Sequence, residues 1–266
     1  MNLLYSRRQF IKYAMLGLGS LALPRMGLGR SGVLNKKLYL DKRLGVEIPV
    51  NGSIRIIAES SRQVTSKSDY RWHSAPDGGA CFTSIDNGWI YVSNSEIKNR
   101  GGGVGAVRFD KDGNIIDAYS ILSDTSRNCA GGKTPWGTWL SCEEYGDLGQ
   151  VYECDPEGKE KAKVRPFMGS FNHEAVAVDP GTSICYMTED VKDGCLYRFK
   201  PDNKADLSKG ILEVAVADKT VLSWKKIEDP LSRFKPVRYQ IEEAARFKGG
   251  EGIVYYDGQV FFDKKR

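Results

Sequence analysis

Cys81-Phe-Thr-Ser-Ile-Asp-Asn-Gly-Trp-Ile-Tyr-Val-Ser-Asn-Ser-Glu96, Cys129-Ala-Gly-Gly-Lys-Thr-Pro-Trp-Gly-Thr-Trp-Leu-Ser-Cys-Glu-Glu144 and Glu174-Ala-Val-Ala-Val-Asp-Pro-Gly-Thr-Ser-Ile-Cys-Tyr-Met-Thr-Glu189 share one layout. Each sets a residue able to ligate a metal fifteen positions ahead of a glutamate, across two apolar runs joined by a turn. The copies begin 48 and 45 residues apart, and a fourth opens at Glu251-Gly-Ile-Val-Tyr-Tyr-Asp-Gly. A period of about 40–50 residues with several short strands per copy predicts the blades of a β-propeller. A jelly-roll sandwich is the alternative all-β architecture, but it does not predict this spacing.

Outward from the repeat, the chain keeps the same character. Asn51-Gly52, Asp77-Gly78, Asn87-Gly88, Asp112-Gly113, Pro180-Gly181, Asp193-Gly194 and Asp257-Gly258 are turn or hairpin signals. Between them stand Trp89–Val92, Ala106–Phe109, Ala175–Val178, Leu196–Phe199 and Ile253–Tyr256, rich in β-branched and aromatic residues. Only residues 239–247 read as a short helix. The fold class is all-β.

Charge divides the chain in two. Residues 1–30 hold Arg7, Arg8, Lys12, Arg25 and Arg30 and no acid; the other 34 Lys+Arg face 34 Asp+Glu in residues 31–266. That neutral body removes the electrostatic basis for binding nucleic acid. Two histidines, His73 and His173, are too few for a histidine-rich metal site. At the start, Ser6-Arg7-Arg8-Gln9-Phe10-Ile11-Lys12 precedes an eleven-residue apolar run, Tyr13 to Leu23. This resembles a twin-arginine signal, too short for a stable membrane span. It implies recognition by the twin-arginine translocase, export to the periplasm, and a mature domain over residues 31–266. No clean cleavage site follows the run.

In a propeller the innermost strand of every blade runs along one channel, so equivalent positions ring one end of it. The repeat therefore places Cys129, Glu174 and Glu251 about a common axis, with Glu96, Glu143 or Glu144, and Glu189 beside them. Converging carboxylates repel one another unless cations neutralise them. Their hard oxygens suit Ca²⁺ or Mg²⁺, whereas a cysteine thiolate suits a transition metal.

Asn128-Cys-Ala-Gly-Gly-Lys-Thr-Pro-Trp-Gly-Thr-Trp-Leu-Ser-Cys-Glu-Glu144 resembles the most characteristic segment of the PhoX-type alkaline phosphatase family. Trp72–Gly79, Phe171–Asp179, Tyr186–Asp190 and Gly249–Ile253 resemble the same family in the same order. The resemblance implies a six-bladed, twin-arginine-exported propeller that hydrolyses small phosphate esters at a cluster of Fe³⁺ and Ca²⁺. By motif, Cys129 would be the iron thiolate, Glu174 and Glu251 would be bridging or terminal carboxylates, and Glu143 and Glu144 would hold or flank calcium; Glu189 and Asp190 are further metal candidates. Asn128 and Lys133 would face the substrate. Two departures are visible. The chain stops about fifteen residues after Glu251, so it is expected to hold four to five blades' worth of sequence. Gly249 and Gly250 stand where the resemblance implies a phosphate-binding arginine. A non-catalytic, calcium-binding propeller is the competing expectation.

Other motifs carry less. Gly131-Gly-Lys-Thr134 imitates a nucleotide loop, but Arg127 occupies the place of its first glycine. Gly101–Gly105 reads as a flexible loop between blades. A protein folded before export forms its core under reducing conditions, so the six cysteines are expected as free thiols, Cys81 among the core ones.

Overall fold

A computed structural model describes residues 38–218 and 221–266. The twin-arginine segment lies outside the described residues. Those described fall into two units, divided between Ala58 and Glu59. In the first, β1 (Leu38–Asp41) and β2 (Val46–Pro49) form an antiparallel hairpin. The second holds everything that follows.

Its sheets are all antiparallel and built from neighbouring strands in chain order. A hairpin of β3 (Gln63–Thr65) and β4 (Ser68–Arg71) comes first. Next is a four-stranded sheet of β5 (Pro76–Thr83), β6 (Trp89–Ser95), β7 (Gly102–Phe109) and β8 (Ile115–Thr125). The second full sheet is β9 (Asn128–Lys133), β10 (Trp139–Glu143), β11 (Val151–Cys154) and β12 (Lys163–Val164). The third has five strands: β13 (His173–Val178), β14 (Cys185–Glu189), β15 (Leu196–Asn203), β16 (Asp206–Asp218) and β17 (Val221–Lys226). A last hairpin pairs β18 (Gly250–Tyr256) with β19 (Gln259–Lys264). The leading strands β5, β9, β13 and β18 lie side by side, as the inner strands of successive propeller blades do.

Apolar side chains hold the blades face to face. Phe82, Ile90, Val92 and Val104 of the first blade pack on Trp139 and Cys154 of the second. Leu140, Cys142 and Val151 of the second meet Val176, Met187 and Tyr197 of the third. Polar bonds lock the same seam at the start of β9. Asn94 Nδ2 donates to the carbonyls of Cys129 and Ala130 at 2.9 and 2.7 Å, and its Oδ1 accepts from Trp139 Nε1 and Ser141 Oγ, both at 2.9 Å. Buried amide groups satisfied in this way fix backbone position rather than merely tolerate burial.

Asp257 and Gly258 both have positive φ, +47° and +76°, as a tight hairpin between β18 and β19 requires. The turn signal at Asp77-Gly78 does not hold, since both residues lie within strand β5. Three other local expectations do not hold. Residues 239–247 contain no α-helix; after a 3₁₀ turn at Val237–Tyr239 the backbone bridges strands, with Ala245 N–H donating to Ala215 O and Phe247 N–H to Gly194 O. Pairing with waiting sheet edges outweighs the modest helix preference of Glu-Glu-Ala-Ala. Gly102–Gly105 is no loop but the first half of β7, where a Cβ on Gly105 would lie 2.3 Å from the Tyr70 hydroxyl. These glycines serve close approach. Cys81 is exposed rather than core, while all six cysteines are free.

Candidate metal centre

The inner hairpin of each blade carries the same irregularity. Pro76 pairs with Ser95 and Gly79 with Ser93; Asn128 with Glu143 and Gly131 with Ser141; His173 with Glu189 and Val176 with Met187; Gly250 with Lys264 and Ile253 with Phe262. In all four the inner strand spends one residue more than its partner, which defines a β-bulge. The second residue of each bulged strand is Asp77, Cys129, Glu174 and Glu251. The residue just beyond each partner strand is Glu96, Glu144, Asp190 and Lys265. A bulge breaks the strict alternation of faces and turns a side chain out of the ladder. Here the four bulge residues and the four that follow the partner strands lie at the same end of the inner strands.

Two groups of ligand atoms come within 4.8 Å of one another: Asp77, Glu96 and Cys129, and Cys129, Glu144 and Glu174. Cys129 belongs to both, and its thiol donates to Glu174 Oε1 at 3.6 Å. Asn172 steadies the next acid, donating through Nδ2 to Glu144 Oε1 at 3.1 Å and to Asp190 O at 2.8 Å, while accepting from Gly146 N–H. Arg127 stands at the rim with its guanidinium 3.9 Å from Glu96. Its φ of +55° is unusual for a side-chain-bearing residue and is held by its own N–H donating to Ile97 O and its carbonyl accepting from Glu144 N–H.

The electrostatics are those of a site short of positive charge. Burial raises the Glu174 carboxyl to about 8, and the neighbouring Glu144, Glu251 and Asp190 add to the shift. Burial and Glu174 push the Cys129 thiol far upward, and burial raises Glu144 as well. A stability prediction arises directly. Between about 4.5 and about 8 the folded chain keeps a proton on Glu174 that the unfolded chain has released. Without cations, stability must therefore fall as pH rises through that window, by up to about 1.4 kcal/mol per unit. Denaturant titrations in chelator at pH 5 and 8.5 will show it; equal or greater stability at pH 8.5 would contradict the assignment.

Of the residues the sequence singled out, Cys129, Glu144 and Glu174 meet, and Glu96 meets Cys129 in the other group. Asp190 and Glu251 adjoin them but both contact Lys265. Glu143 does not reach the cluster: it is buried and accepts from Ser126 N–H at 2.7 Å and Gln150 N–H at 3.1 Å. Nor does Glu189, which is fully buried beneath Tyr197 Oη at 2.9 Å, Cys195 N–H at 3.0 Å and Arg238 at 3.2 Å. Asn128 is buried too, accepting from Thr125 Oγ1 at 2.6 Å and donating to Ser141 Oγ at 2.9 Å. Lys133, at the opposite end of β9, donates to Cys81 O at 2.8 Å and lies 4.6 Å from the Phe82 ring. Asn128 has both its amide oxygen and its amide nitrogen bonded inside the fold, and Lys133 stands at the other end of β9 from Cys129. Asp77 and Asn172 were missed. The bulge register alone aligns Asp77 with Cys129; the fifteen-residue spacing selects Cys81 instead.

The family model described as Alkaline phosphatase PhoX matches residues 51–263. The chain belongs to the PhoX family. The PhoX fold is also the one seen in the solved structure titled "Pseudomonas fluorescens PhoX in complex with vanadate, a transition state analogue". That match has a TM-score of 0.62 at 17% identity, covering 77% of this chain and 62% of that one. At such identity the likeness is one of fold, and this PhoX chain spans less than two thirds of that relative. A chain from a nidogen/laminin complex matches at TM-score 0.37 and 13% identity, over 71% of this chain and 72% of that one, too distantly to carry an argument. No curated protein matches. Among the described residues, no helix is long and apolar enough to cross a membrane.

Proposed function

We propose that this chain is a metal-dependent hydrolase of small phosphate esters whose centre is formed by Asp77, Glu96, Cys129, Glu144 and Glu174, with Asp190 and Glu251 beside it. The observation that carries this reading is the convergence of those acids and one thiol at four bulges of a PhoX-family propeller. The donor set fits the cations that the family resemblance implies. The oxygens of Asp77, Glu96, Glu144 and Glu174 suit Ca²⁺, and Cys129 biases one position toward iron. Burial first, and neighbouring carboxylates after it, raise the proton affinity of Glu174 and Cys129, a cost that bound cations would offset.

When bound, such cations would draw phosphoryl oxygens into the cluster and offset charge developing during displacement. The chain's own residues supply the positioning. Asn172 holds Glu144, and the Asn94 network holds the backbone that presents Cys129. Arg127, half-exposed at the rim, is placed to meet a phosphate oxygen through its planar fork. In the absence of an arginine at Gly249, Arg127 takes the recognition role first expected of Asn128 and Lys133.

Metal analysis of the purified chain, paired with hydrolysis of a chromogenic phosphate ester, tests the reading. Iron and calcium with chelator-sensitive hydrolysis support it. Calcium alone with no hydrolysis supports a binding propeller, and no metal at all defeats both.

Export through the twin-arginine route, to the periplasm, belongs to the same reading. Replacing Arg7 and Arg8 together by Lys is expected to retain the protein in the cytoplasm, as fractionation and immunoblotting will show. Undiminished periplasmic delivery of the double variant would sink the assignment.

A further inference from the structure

The position just beyond the second strand carries Glu96, Glu144 and Asp190 in three blades, but Lys265 in the fourth. Lys265 is not a stray tail residue. Its N–H donates to Gly249 O at 2.8 Å, and Gly249 N–H in turn donates to Val191 O at 2.8 Å. Its ammonium contacts Asp190 Oδ2 and lies 3.3 Å from Glu251 Oε1. Its stem crosses over Gly249, where a Cβ would stand 2.9 Å from Lys265 Cδ and 2.8 Å from Asp190 Oδ1. Gly249 has φ of +61°. Glycine at 249 and lysine at 265 therefore form one device: the first leaves the space that the second fills. The result is a positive charge, tethered by backbone bonds, seated against two acids of the proposed centre.

The geometry points to Lys265 as a built-in cation that occupies the Asp190–Glu251 corner and keeps a divalent ion out of it. This rests on the metal-centre reading. A Coulombic reason supports the exclusion: an ion entering there meets a fixed like charge, and it cannot recruit the two carboxylates without displacing the ammonium. Metals would then be confined to the sector of Asp77, Glu96, Cys129, Glu144 and Glu174. The fourth blade contributes charge balance instead of an ion site.

Calorimetric titration of calcium chloride into the full chain, stripped beforehand with chelator, tests the proposal on the parent and three variants. Lys265→Met keeps the stem and removes the charge, so it is expected to bind one more calcium per chain than the parent. Lys265→Arg keeps a cation and is expected to match the parent. Asp190→Asn in the Lys265→Met background should remove the added site. Calcium binding by the parent with an unchanged count and affinity in Lys265→Met would overturn the role of Lys265 while leaving the metal centre intact. Failure of the parent and every variant to bind calcium would overturn the metal centre, and this inference with it. Circular dichroism of each variant verifies that the fold is retained.

Discussion

On the proposed function, Cys129→Ser and Glu174→Gln are each expected to lower phosphate-ester hydrolysis by about 100- to 1,000-fold, the scale of losing one preorganised charge-stabilising contact. The two variants differ in what they do to metal content. Serine keeps the size of Cys129 but offers a hydroxyl that hardly ionises, so iron falls while calcium is largely kept. Glutamine keeps the shape of Glu174 and removes a negative charge shared by both sides of the cluster, so both metals weaken. Neither substitution unfolds the protein, because Glu174 carries no ion pair whose partner would be stranded and the Cys129 carbonyl remains bonded to Asn94. Glu174→Gln also removes the acid that burial raises to about 8, so the metal-free variant loses the decline in stability between about 4.5 and about 8. Metal analysis and ester hydrolysis on the same preparations decide the matter. Equal iron in the parent and Cys129→Ser would refute the thiolate role.

Glu189→Gln and Asp190→Asn are adjacent conservative changes with opposite expected effects. Glu189 is 0% exposed and accepts from Cys195 N–H, Tyr197 Oη and Arg238. Its neutral replacement leaves a largely buried guanidinium short of a counter-charge and, because both carboxylate oxygens accept hydrogen bonds, forces the amide NH₂ against a donor. Arg238 retains Asp147 and Asp193, so the loss sits at the lower end for a broken buried pair, about 3 kcal/mol. Calcium stoichiometry should not change. Asp190→Asn faces the cluster and frees Lys265; stability should move by about 0.5 kcal/mol or less, whereas calcium affinity should change. Denaturant midpoints and calorimetric titration separate the two. Matching stability losses in both variants would mean that the bulge does not sort these neighbours as described.

That sorting was the step least legible from residues alone. Alternation along a strand, period two, distinguishes Glu143 from Glu144 and Glu189 from Asp190 only if the register is unbroken. Here each inner strand gains one residue at a bulge, and turn lengths differ between blades. From bulge residue to the acid or lysine at the end of the hairpin the separations are 19, 15, 16 and 14 residues. A rule of fifteen fits the second blade, lands on Cys81 in the first and on Glu189 in the third. Cys81 lies exposed four residues further along β5 than Asp77, and Glu189 lies buried one residue short of Asp190. Asn128 and Lys133 were likewise near in sequence to the right residue. One is spent on Thr125 and Ser141, the other lies at the far end of β9.

By itself the sequence determined the strand class, the order of the blades, and the residue types, one thiol and several carboxylates, on which the proposed chemistry rests. Those follow from local causes: β-branched and aromatic runs, glycine turns, and residue types repeated once per blade. Only the tertiary structure decided which acids share the cluster, that Asp77 joins them, and that Lys265 stands among them. The reason is physical. Side-chain direction at a bulge, and the competition of neighbouring backbone and guanidinium groups for each carboxylate, are set by contacts between blades that no single blade's sequence contains.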